Sequence, residues 1–157
     1  MFAAKVSSLL ISRVSPEGDR LAGPVHWQAW ERLPKLVRRI DEIQVNIVLR
    51  RRGSVVLADG SIHVQAFLGC ERCLGDLPWD SEISIAAGLG DSEDAIMAVD
   101  AEREPVLSIA GTVAVQDWLE EEVLLALPML ARCNTWKIGI CPISGVEVPA
   151  VGPDSHC

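Results

Sequence analysis

Ile62-His63-Val64-Gln65-Ala66-Phe67-Leu68-Gly69-Cys70-Glu71-Arg72-Cys73-Leu74-Gly75-Asp76-Leu77 is the stretch on which the fold class turns. Its first seven residues alternate, with Ile62, Val64, Ala66 and Leu68 on one face, the period of a half-buried strand. A second strand follows over residues 77–85 and carries Ile83 and Ile85. Two cysteines, separated by two residues, therefore sit at the tip of a hairpin. Two thiolates on one tight turn can face a single metal ion. The same pair can cycle as a dithiol, or fill space as small apolar side chains. The local sequence leaves all three open.

The same period recurs upstream. Ile43-Gln-Val-Asn-Ile-Val-Leu-Arg50 predicts a strand with Ile43, Val45, Ile47 and Leu49 inward. Gly53-Ser54 turns the chain, residues 55–58 pair back, and Asp59-Gly60 carries the signature of a further hairpin turn. His63 falls on the polar face, the place of an ordinary exposed histidine. Residues 5–11 predict a short strand. Residues 24–33 predict a short helix that starts at Pro24 and sets Trp27, Trp30 and Leu33 into the core. Four short strands joined by tight turns give an antiparallel sheet or a small, partly open β-barrel.

One longer helix is expected over residues 113–127, because Val115, Leu119, Val123 and Ala126 cluster at about 100° per residue. Asp117, Glu120 and Glu121 then project away from the core, while Glu122 falls on the apolar side, at a groove edge. Pro128 stops the helix. Residues 88–105 hold six carboxylates against Arg103 and predict a mobile acidic loop. The expectation is thus one α+β domain over residues 1–145, a sheet with the 113–127 helix packed against it, and a flexible tail over 146–157.

The chain has 157 residues, 49% of them hydrophobic, enough for one real core. No apolar run approaches the ~20 residues of a membrane span, which points to a soluble cytoplasmic protein. Five cysteines are an odd number and are not spaced as a secreted disulfide framework. The net charge of −8 is unevenly placed: residues 1–79 carry 11 Lys/Arg against 8 Asp/Glu, whereas residues 80–157 carry 3 against 14. An acidic half repels phosphate and attracts basic partners. Arg50-Arg51-Arg52 is a run able to touch nucleic acid and equally able to form a solvated strand end. Non-specific nucleic-acid binding by the whole chain needs a broad basic face that the composition lacks.

No Ser-His-Asp order, paired catalytic carboxylates or Gly-rich phosphate loop is present, and His26, His63 and His156 have no recognisable partners. A catalytic or cofactor-binding residue is not expected, nor a small-molecule substrate. Cys70 and Cys73 can be joined by Cys133 and Cys141 into a four-thiolate set suited to structural zinc, although the second half, Cys-x7-Cys, is looser than the usual spacing.

The order of features resembles the YceD-like family, named for large ribosomal RNA subunit accumulation. The matching residues are Leu68, Cys70, Arg72, Cys73 and Leu74; Glu121-Glu122 with Leu125-Ala-Leu-Pro128; and Cys133, Gly139, Cys141, Pro142 and Gly145. The resemblance spans about residues 40–145. Lys137 and Ser144 stand where cysteine-rich members carry further cysteines. What the resemblance implies is a non-enzymatic factor for accumulation of the large-subunit (23S) rRNA and for large-subunit assembly. Its expected partners are a small basic large-subunit ribosomal protein, a pre-ribosomal particle, or both, with direct rRNA contact left open. The alternative from another class is a thiol-disulfide oxidoreductase or redox-sensitive protein using Cys70 and Cys73. A redox dithiol ordinarily sits at a helix N-terminus, which lowers thiol pKa, and here the motif lies between strands.

Overall fold

Three long strands, laid side by side, bury the alternating residues. The computed structural model describes residues 2–3, 5–71 and 74–128. In chain order these form β1 (Phe2–Ala3), β2 (Ser8–Leu10), β3 (Asp19–Pro24), α1 (Leu33–Leu36), β4 (Arg39–Arg52) and β5 (Val55–Gly69). They continue with β6 (Asp76–Gly90), α2 (Glu93–Val99), β7 (Glu104–Leu107), β8 (Thr112–Ala114) and α3 (Val115–Ala126). Six strands make one sheet in the order β1-β3-β4-β5-β6-β7, and β2 pairs with β8 in a separate two-stranded sheet. The fold is α+β, and the sheet of the described residues does not close into a barrel.

Strands β3 to β6 pair antiparallel, as the alternation predicts. The two short edge strands differ: β1 joins β3 and β7 joins β6 in parallel. A parallel partner needs a crossover of about a dozen residues, usually helical. Residues 88–105, expected as a mobile acidic loop, supply that crossover. They hold the end of β6, helix α2 and the start of β7. Helix α2 begins where the Ser92 hydroxyl accepts the Ala95 N–H at 3.2 Å.

The core lies on one face of the sheet. Ile43, Val45, Ile47 and Leu49 of β4, Ile62 and Val64 of β5, and Ile85 and Leu89 of β6 are buried there. They meet Leu9 and Val113 of the small sheet and Val115, Trp118, Leu119 and Val123 of α3. The opposite face is not wholly open. Gly88 and Gly90 alternate with Ala87 and Leu89, so they face away from the core. A Cβ at Gly88 would come 2.5 Å from an Ile96 methyl, so bare backbone is what lets α2 seat Ile96 there. Val55, on the same outer side, is buried beside it.

Two local expectations change. Asp59-Gly60 is not a turn but the interior of β5, which runs unbroken past it. A Cβ on Gly60 would lie 2.1 Å from the Asn46 carbonyl oxygen of β4, so the glycine serves a close approach of strands. The helix predicted over 24–33 is replaced by the end of β3 at Pro24, a 3-10 turn at Trp27–Ala29, and α1 beginning only at Leu33. The Val25 N–H donates to the Ile43 carbonyl at 2.8 Å, which keeps that segment against the sheet. The expected hairpin at Gly53-Ser54 is present, with Arg52 opposite Val55 and Gly53 at φ 62°.

Substituting Gly60→Ala should destabilise the domain by at least about 2 kcal/mol, toward the upper end for overpacked sites, because the obstacle is backbone rather than a flexible side chain. Urea unfolding followed by tryptophan fluorescence reads the shift. An unchanged midpoint would mean that β4 and β5 separate freely at this point.

Candidate partner-binding surface

The hairpin that carries the first cysteine is tightly tied. The Cys70 N–H donates to the Gly75 carbonyl and the Leu74 N–H to the Cys70 carbonyl, both at 2.8 Å. Leu74 takes a positive φ of 62° and is exposed. Arg38 braces the turn, its guanidinium donating to the Leu74 carbonyl at 3.1 Å and lying 3.9 Å from the Asp76 carboxylate. Gly69 leaves room for that guanidinium, since a Cβ there would come 2.9 Å from Arg38 Nε. Cys70 is 1% exposed. Four thiolates are the right donor chemistry for closed structural zinc. Of the expected set, Cys73, Cys133 and Cys141 lie outside the described residues. So do the 132–145 cysteine loop and the 146–157 tail. Among the described residues no group of three or more His, Cys, Asp or Glu side chains is arranged to hold a metal.

His63, expected without a partner, bonds the Asp80 carboxylate at 2.5 Å on the outer sheet face, and Gln65 adds a bond of 3.4 Å. The His63 bond is the main reason that Asp80 titrates below the usual carboxylate range. The arginine run at the end of β4 is used internally. Arg51 donates to the Val14 carbonyl at 2.9 Å and Arg52 to the Pro16 carbonyl at 3.1 Å. Two of the three cations therefore fasten the loop before β3 and do not form a basic platform.

The acidic half divides into carboxylates that hold the fold and carboxylates that remain on display. Arg103, the lone base of the crossover, is gripped by Asp59 at 2.8 and 3.0 Å and by Asp100 at 3.0 Å. Asp91 accepts from the Ser108 hydroxyl and from the Gly111 N–H, and these bonds lower its pKa. Glu93, Asp94, Glu102 and Glu104 stay exposed on or beside α2 and β7.

Helix α3 departs from expectation at one residue. Asp117 and Glu121 do face solvent, but Glu120 is only 4% exposed. Its Oε1 accepts the backbone N–H groups of Arg32 at 2.6 Å and Leu33 at 2.8 Å, at the start of α1. One turn earlier, Gln116 accepts the Trp30 indole N–H at 3.0 Å and donates to the Val6 carbonyl at 2.7 Å. Arg32 completes the clasp with Glu121 at 2.5 Å. The i, i+4 spacing of Gln116 and Glu120 was legible, but nothing local marked them as facing another segment.

Glu122 lies at the groove edge as its position on the helix predicts. It is half-buried and accepts the Trp118 indole N–H at 3.1 Å. Burial pushes its pKa up, and the nearby charges of Glu104 and Glu121 add to that rise against the lowering effect of the indole bond. A carboxyl with a raised folded pKa contributes less stability as pH rises from the usual carboxylate value through the raised one; its partial exposure keeps that contribution small. Among the described residues, the surface running from β7 to α3 therefore presents Glu104, Asp117, Glu121 and Glu122 around one cation, Arg32.

A protein-family model described as "Large ribosomal RNA subunit accumulation protein YceD" matches residues 58–151, more than half of the chain. The matched stretch enters within β5 and takes in β6, the acidic crossover and α3. No curated protein and no solved structure matches the chain.

Replacing Glu120 by Ala should cost about 2–4 kcal/mol, because two backbone N–H groups at the start of α1 lose their acceptor. Glu120→Gln keeps an acceptor oxygen and should cost less. Urea midpoints of the two variants check the ordering; equal, small losses would show that water replaces the carboxylate.

Proposed function

The chain belongs to the YceD family of large ribosomal RNA subunit accumulation proteins, and from that premise we propose that it is a non-catalytic factor in large-subunit assembly. It acts by holding a small basic ribosomal protein or a precursor particle through its acidic half. The observation that carries the holding role is the fate of the carboxylates. The acids bonded within the fold, Asp59, Asp91, Asp100, Glu120 and Glu121, are distinct from Glu93, Asp94, Glu102, Glu104 and Asp117, whose exposed carboxylates lie along α2, β7 and α3. An array of exposed acid without matching base among the described residues attracts a basic protein and repels nucleic-acid phosphate. Contact with rRNA is therefore made through the partner in this reading.

The thiol-exchange alternative is weakened by the position of Cys70. Reactive cysteines are partly exposed, with a thiolate favoured by positive surroundings or a helix N-terminus. Cys70 is buried at the end of a strand. The proposed holding role needs no bound metal and no electron transfer.

Depleting the protein should lower mature large subunits and their rRNA more than small subunits in sucrose-gradient profiles. The purified protein should bind basic ribosomal proteins with an affinity that falls steeply with salt, since charge pairs are screened over ~8 Å at physiological ionic strength. Reversing Glu104 and Asp117 to lysine should weaken that complex while leaving the fold intact; Glu120 and Glu121 must be spared, because one is buried and the other holds Arg32. Unchanged gradients on depletion would remove the assembly role, and salt-independent binding would remove the electrostatic one.

A further inference from the structure

We propose that the groove between β7 and α3 is a docking site for a segment of a partner protein in which lysine or arginine alternates with leucine-like side chains. This deepens, and rests on, the reading of the acidic half as a partner surface. The groove is apolar on both walls and at its floor. Leu107 of β7 is 55% exposed and Leu125 of α3 is 63% exposed, an arrangement costly to leave in water. Trp118 lies at the base, with its indole N–H turned to Glu122.

The charge of the rim selects the occupant. Glu104 and Glu122 line the groove from opposite walls as like charges, and neither has an ion-pair partner among the described residues; burial is what chiefly raises the Glu122 pKa, with the Glu104 charge adding to it. Arg32, at one end, is already bonded to Glu121 and Glu120. An incoming ammonium or guanidinium placed between Glu104 and Glu122 relieves that repulsion, and its neighbouring apolar side chain covers Leu107 and Leu125. A second copy of this chain is a poor occupant, since it brings a net charge of −8 to an acidic rim. RNA phosphate is repelled for the same reason.

The mode of docking follows from the edge. The Ser108 N–H donates to the Gly90 carbonyl, so by the two-residue alternation Pro105 falls on the free side of β7, where it offers no N–H. Strand addition is blunted there, and recognition falls to side chains.

The test uses the purified full chain and a fluorescein-labelled twelve-residue peptide of alternating lysine and leucine, read by anisotropy. Glu104→Gln/Glu122→Gln and, separately, Leu125→Ser should each weaken binding about tenfold. Glu93→Gln/Asp94→Asn, which removes two charges on α2, should change it less than about twofold. A lysine/serine peptide should bind about as weakly as the groove variants leave the original. Wild-type urea midpoints for the variants show that folding is not the cause. Equal losses from the α2 variant would leave only diffuse attraction and overturn the proposal. Carbodiimide crosslinking should join the peptide lysines to Glu104 or Glu122; a crosslink from Glu122 to the chain's own Lys137 that the peptide fails to displace would also overturn it. Because the peptide assay needs no ribosome, its failure leaves the gradient result standing, and the reverse holds.

Discussion

The buried carboxylate of Glu120 is the centre of the clasp that joins the segment around α1 to α3, with Gln116 and Glu121 on either side of it. It accepts two backbone N–H groups at residues 32 and 33, where α1 begins without a capping side chain of its own. A short helix cannot nucleate alone, so the segment from Trp30 to Leu36 takes its shape from α3. In return the clasp fixes the rotation of α3 about its axis. With Gln116 and Glu120 turned toward the N-terminal segment, Val115, Leu119 and Val123 face the sheet, and Glu122 and Leu125 must emerge beside β7. The groove is a consequence of that rotation.

The sheet carries load on both faces because glycine removes side chains at chosen points. Gly60 lets β4 and β5 close upon each other in mid-sheet. Gly88 and Gly90 clear a seat for Ile96, so that the acidic crossover is moored to the outer face while α3 occupies the inner one. Arg103 then locks the crossover to the Asp59 position of β5, next to Gly60. An insert rich in like charge would otherwise repel itself away from the domain; one hydrophobic side chain and one well-satisfied arginine hold it.

Period-two alternation made the central strands legible from Ile43 to Ile85, because a half-buried strand writes its two faces directly into the sequence. The 3.6-residue period did the same for α3. What was not legible depended on distant partners. Asp59-Gly60 carries a turn signature, yet the glycine answers to Asn46 on the neighbouring strand and the aspartate to Arg103. Trp27, Trp30 and Leu33 have helical spacing, but Trp30 answers to Gln116 on α3. Glu120 looked like part of a solvent-facing acidic stripe because charge alone says nothing of backbone donors 88 residues away. Of the candidate surface, the acidic excess and the edge position of Glu122 were visible in sequence. The division between structural and displayed carboxylates was not, since it requires knowing which bases are already engaged.

The pairing of β2 with β8 has a consequence for synthesis on the ribosome. Among the described residues, residues 8–10 find their strand partner in residues 112–114, and the Val6 carbonyl waits for Gln116. The β3–β6 meander can assemble as it emerges, through connections that are mostly local. Strand β2, made early, has to remain undocked until more than a hundred further residues have been translated. Such a topology folds late and with a large loop-closure cost, leaving Leu9 and Ile11 exposed in the nascent chain for most of its elongation.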